Sequence, residues 1–180
     1  MKKNNKKIMI IKTIAIFLSL FLFSFGYKTF PNFLTAIIFP VNESLFEHLK
    51  MIFNAEIIVS LIIYIILKVK KIKINNYFLA LITSTIFNII LFYLVYLPIY
   101  NRFGEGLIYT MIIYFITLII SQYLFYLITI RKHKEFYNTV SIILIPLIWI
   151  ILVYFTFNPL KTKFFFDPIK ETYGIPKKVK

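Results

Sequence analysis

Five long apolar stretches carry most of this chain, at about 8–26, 44–67, 77–97, 107–130 and 139–157. None alternates with period two, and each is close to the ~20 residues that a helix needs to cross a bilayer. Lipid offers the backbone no hydrogen-bonding partners, so a spanning segment must satisfy its own N–H and C=O groups. The pattern therefore predicts an all-α polytopic transmembrane bundle of about five spans in a single integral membrane domain. The first stretch has a basic start and a Ser24-x-Gly26 end, as a signal peptide has. It is too long and too Phe-rich for an h-region, so an uncleaved first helix is expected.

The polar positions subdivide the rest. Residues 30–40, bounded by Pro31 and Pro40, are too short to span and read as an interfacial or shallow re-entrant piece. Pro98 is expected to stop the third span, and Pro146 to kink the fifth. A polar tail with aromatic patches follows from residue 158 to residue 180. Lys12, one turn inside the first span, is expected to snorkel to the interface.

Composition agrees with this pattern: 60% of the 180 residues are hydrophobic, against about 45–50% in soluble domains. The net charge of +14 comes as short Lys clusters between apolar runs, with no face long enough to follow a phosphate backbone, so no nucleic-acid partner is expected. Lys2, Lys3, Lys6, Lys7, then Lys68, Lys70, Lys71, Lys73, then Arg131, Lys132 and Lys134 fall on one side of a five-span topology. The positive-inside rule makes that side cytoplasmic, with the N-terminus inside and the C-terminus outside in a multi-pass cell-membrane protein. The lysines of the tail dissent. There is no cysteine, which excludes disulfides and cysteine-ligated metal.

Candidate chemistry concentrates in Pro40-Val-Asn-Glu-Ser-Leu-Phe-Glu-His-Leu-Lys50. On a helix advancing about 100° per residue, Glu43, Glu47, Lys50 and Asn54 share one stripe, with His48 at its edge beside Ser44. Part of this is ordinary helix chemistry. Ser44 and Glu47 make a capping box, and Lys50 can pair with Glu47 at i+3. The remainder is more than a cap needs. Glu43, Glu47 and His48 are candidate general acid–base residues and candidate ligands of a hard or borderline metal, although one helix cannot complete a metal shell. Asn42-Glu-Ser44 also matches a glycosylation sequon, a poor fit so near a membrane.

Glu56 lies about 12 Å deeper along the same helix. An ionisable residue inside a span is by default a functional candidate, and Asn88 or Gln122 of neighbouring spans are its expected hydrogen-bond partners. The other polar positions of those spans, including Thr83, Ser84, Thr85, Tyr114, Thr117 and Ser121, read as glue between helices. Arg102 in the loop 100–106, with Asp167 and Tyr173 in the tail, falls on the same outer side as Asn42–Lys50. Arg102 or a tail lysine is an expected neutraliser of Glu43 or Glu47.

Asn42-Glu-Ser-Leu-Phe-Glu-His-Leu-Lys50, together with Phe166-Asp-Pro and Thr172-Tyr-Gly-Ile175, resembles the signature of a bacterial membrane family, domain of unknown function 6512. Position 46 is Phe where that pattern has Trp. The resemblance implies a membrane location and weight on these positions, and it carries no activity. The sequence thus supports an outer polar pocket of Asn42, Glu43, Ser44, Glu47, His48, Lys50, Arg102, Asp167 and Tyr173. Its partner would be a ligand, a membrane lipid headgroup, another membrane protein or a second copy. A lipid hydrolase or transferase and a proton-coupled transporter using Glu56 stand as alternatives.

Overall fold

A computed structural model describes residues 2–104 and 106–175. Six helices follow in order: α1 (Lys2–Thr29), α2 (Phe33–Ile38), α3 (Leu45–Val69), α4 (Tyr77–Phe103), α5 (Leu107–Thr129) and α6 (Glu135–Phe157). A 3-10 turn (Lys163–Phe165) leads into a small antiparallel hairpin, β1 (Phe166–Asp167) and β2 (Thr172–Tyr173). Five of the helices, all except α2, are long and apolar enough to cross a membrane. The protein is a multi-pass transmembrane bundle whose consecutive spans run in alternate directions.

One expected boundary is wrong. Pro98 does not stop the third span; α4 runs on to Phe103 and ends at Gly104, whose φ is +76°. A helical proline leaves the carbonyl four residues back without its donor. Here that is Leu94, in the second half of α4. The short helix α2 occupies the segment expected to be interfacial, with Asn32 and Thr35 forming a reciprocal capping box.

Amide side chains tie the end of the bundle that holds the N-terminus. Asn5 donates to the Thr129 carbonyl. Asn76, itself in a left-handed conformation, donates to the Ile128 and Lys132 carbonyls and accepts from the Lys134 amide. With Asn76 turned away, the first amides of α4 are capped from a distance by Asn138, whose Oδ1 accepts from Phe78 N at 3.0 Å. Around this amino end Lys6, Lys7, Lys68, Lys70, Lys71, Lys73, Arg131, Lys132 and Lys134 are exposed.

At the opposite end the tail folds back over the start of α3. Asn42 Nδ2 donates to the Gly174 carbonyl at 2.7 Å, and the Glu43 amide donates to Asp167 Oδ2 at 3.3 Å. Phe165 stacks on Phe46 at 4.4 Å between ring centroids, so the departure from Trp keeps an aromatic anchor.

Candidate functional site

The polar start of α3 divides into two groups with different surroundings. Ser44 caps the helix, its Oγ accepting from the Glu47 amide at 3.3 Å. The reciprocal half of the expected box is missing, because the Glu47 carboxylate turns elsewhere. Its Oε2 accepts from the Val41 amide at 3.0 Å and from Lys50 Nζ at 2.6 Å, and its Oε1 from Thr156 Oγ1 at 2.9 Å. Lys50 spends its remaining N–H groups on the Ala36 carbonyl (2.9 Å) and Thr156 Oγ1 (2.8 Å). An ammonium has three donors, and all three are used. Asn54 donates to the Ile37 and Ile38 carbonyls. Lys50 and Asn54 together therefore satisfy the last carbonyls of α2, which its own helix leaves without partners. Glu47, Lys50 and Asn54 are each 1% exposed or less. They form a sealed structural knot and not an open site.

Glu43 lies ahead of the cap and does not share the stripe of Glu47. Its Oε2 is 3.2 Å from His48 Nε2, and its Oε1 is 2.7 Å from Lys28 Nζ. The hydrogen bond from His48 and the Lys28 ammonium, working against partial burial, bring the Glu43 carboxyl down to about 2. It is ionised at neutral pH. Lys28 is the cation that sequence reasoning missed, since the end of one helix gives no sign of meeting residues 43 and 48. The expected neutraliser, Arg102, is exposed and lies over the Phe103 ring.

Other expected members are structural as well. Asn42 is 4% exposed, engaged with Gly174 and with the Ser44 amide. That burial removes it as a glycosylation acceptor. Asp167 is fully buried, accepting from the Glu43, Ile169 and Lys170 amides. Tyr173 is partly exposed and packs on Phe166. Among the described residues, no three His, Asp or Glu side chains gather as a metal site. Glu43 and His48 meet, while Glu47 is committed to Lys50.

Lys28, Glu43 and His48 stand at the mouth of a cavity of about 390 Å³ between α1, α3, α4 and α5. Below them the walls turn apolar: Phe17, Leu20, Met51, Ile52, Phe92 and Met111, joined by the buried Tyr114. The volume falls within the range of ligand pockets, about 300–1,000 Å³.

Deeper still, Glu56 is fully buried and accepts from both partners expected of it: Asn88 Nδ2 at 2.6 Å and Gln122 Nε2 at 3.4 Å. Thr85 Oγ1 adds a third bond at 3.0 Å. Lys12 does not snorkel. It is fully buried, with Nζ 3.6 Å from the centre of the Phe125 ring and within electrostatic reach of Glu56. A buried lysine in a span is placed by a polar partner within the bundle and not by the interface, and Glu56 is the titratable group nearest in its surroundings.

The sequence profile described as family of unknown function DUF6512 matches residues 1–175. The chain belongs to the DUF6512 family. Neither a curated protein nor a solved structure matches it. The match spans both ends of the Asn42–Gly174 tie. The polar residues at this end of the chain thus sort by geometry: Asn42, Ser44, Glu47, Lys50, Asp167 and Gly174 hold the pocket end together, and Glu43 and His48 face the cavity.

Proposed function

We propose that this DUF6512 protein binds a membrane amphiphile, its polar head at Lys28, Glu43 and His48 and its chain in the apolar shaft beneath. One observation carries the reading. A single cavity has an ionic triad at its mouth and hydrocarbon walls below, which is the polarity profile of a lipid. Lys28 and His48 are donors suited to a phosphate or carboxylate head, and the ionised Glu43 fixes both in place.

The charge distribution supports a cell-membrane location with the N-terminus in the cytoplasm, since the exposed Lys and Arg clusters lie at the amino end. The pocket mouth then opens in the outer leaflet. Native mass spectrometry of the gently solubilised protein tests the binding. The wild type should retain a lipid, and Met111→Trp, which fills the shaft, should lose it. Equal retention by both would remove the pocket from the reading.

A second reading, hydrolysis or group transfer on that lipid, is favoured by the His48–Glu43 contact at 3.2 Å. A carboxylate that orients an imidazole prepares it as a general base. Turnover of the retained lipid that His48→Gln abolishes would select this reading over binding alone.

A further inference from the structure

The cluster around Glu56 contains more polar capacity than its own hydrogen bonds use. Asn88 and Gln122 both turn their NH2 groups to Glu56, and their carbonyl oxygens accept no hydrogen bond from the described residues. Lys12 Nζ is likewise without a hydrogen-bond partner among the described residues, and the Tyr114 hydroxyl has only a loose contact with Asn88 that falls short of hydrogen-bond geometry. These four side chains are 0–3% exposed. Two acceptors, an amine and a hydroxyl gather around the Glu56 carboxyl, in a part of the bundle that lies within the bilayer. Buried polar groups left in this state are costly. They are complementary to a small molecule that donates and accepts at once, as a buried water does with about three bonds.

The surroundings are asymmetric. Toward the amino end, one turn from Lys12, Thr85 and Gln122, the packing is closed by Ile8, Leu81 and Phe125, with Tyr77 bonded to the Ser60 carbonyl. Toward the other end lies the cavity, one wall of which is the buried Tyr114, a residue that also interacts with Asn88 and Glu56.

We propose that Lys12, Glu56, Asn88, Tyr114 and Gln122 enclose a hydration site that fills from the pocket past Tyr114 and is shut toward the amino end. The titratable groups facing Glu56 are Lys12 from α1 and Tyr114 from α5; α4 contributes only Thr85 and Asn88. Water there gives Glu56 and Lys12 a proton route to the pocket side of the membrane alone. The inference uses the cavity as a path and does not need a lipid to bind in it.

The test is X-ray radiolytic footprinting of the full-length wild-type protein in nanodiscs, where hydroxyl radicals formed from bound water oxidise the side chains beside it. Tyr114 and Tyr77 are both buried, at 3% and 2% exposure, and serve as an internal pair. Tyr114 should be oxidised at least ten-fold faster than Tyr77. Because Tyr114 also lines the cavity, the excess should fall in Asn88→Leu, which removes an acceptor of the site and leaves the cavity wall intact. An excess unchanged in Asn88→Leu would mean that cavity water alone reaches Tyr114 and overturn the site. Equal, slow rates would mean a dry cluster and overturn the site. Equal, fast rates would mean that water crosses the amino-side layer and overturn its one-sidedness.

Discussion

Glu47 and Lys50 sit one helical turn apart, joined at 2.6 Å, and neither reaches solvent. Removing one member of a buried ion pair strands the other, which costs about 3–5 kcal/mol. Lys50→Met should therefore destabilise the protein by about 3 kcal/mol or more, and the double variant Glu47→Gln/Lys50→Met should recover part of the loss. Unfolding in mixed micelles measures both. A double variant no better than Lys50→Met would mean that the lost anchoring of α2, not the stranded carboxylate, dominates.

The pH response of the pocket mouth follows from Glu43. Its carboxyl is depressed from 4.5 to about 2 by His48 and Lys28, so the folded state binds a proton less readily than the unfolded chain. A depressed carboxyl adds stability that is fully present above about 4.5 and fades as pH falls toward about 2. The stability gap between wild type and Glu43→Gln should be constant from pH 8 to about pH 5 and close on further acidification. A gap that widened in acid would contradict the ionised carboxylate.

The tail is held by bonds that can be cut one at a time. Gly174 has φ +66°, and a Cβ there would come 2.9 Å from Pro159 Cγ. Gly174→Ala should loosen the hairpin more than Asn42→Ala, which removes one neutral hydrogen bond worth about 1 kcal/mol. Limited proteolysis within residues 160–175 reads this directly. Cleavage should be slowest in wild type, faster in Asn42→Ala and fastest in Gly174→Ala.

Lys12 and Glu56 should behave as one unit. Either Lys12→Met or Glu56→Gln alone leaves a fully buried group without its counterpart, while the pair of changes removes both. A double-mutant cycle on unfolding should give a coupling of about 0.5–3 kcal/mol. Additive losses would mean that the two side chains do not sense each other.

How much of this could be read along the chain depends on distance in sequence. The spans were legible because apolar runs of this length have one stable form in lipid. The Ser44 cap, the Glu47–Lys50 pair and the Asn88 and Gln122 bonds to Glu56 were legible because spacing or chemical need pointed to them. The division of Glu43 and His48 from Glu47 was not, because it turns on where α3 starts. Helical geometry over Glu43–Asn54 puts one stripe where the helix in fact begins only at Leu45, with Ser44 itself extended. Lys28, Thr156 and the burial of Lys12 were hidden for another reason. They depend on which helices become neighbours, and Thr156 meets Lys50 from 106 positions away. Pro98 misled because its effect depends on what surrounds the carbonyl it orphans.

The tie between Asn42 and Gly174 spans 132 positions, and it sets an order of events during synthesis. When α3 enters the membrane, the partner of Asn42 has not yet been translated. Phe46 likewise waits for Phe165, and Lys50 for Thr156. The five spans can be threaded one after another, but the pocket end stays open until the segment around Gly174 has left the ribosome. A message truncated shortly after α6 would yield a chain with all its spans and an unfinished pocket end, exposing buried polar groups of the kind that membrane quality control recognises.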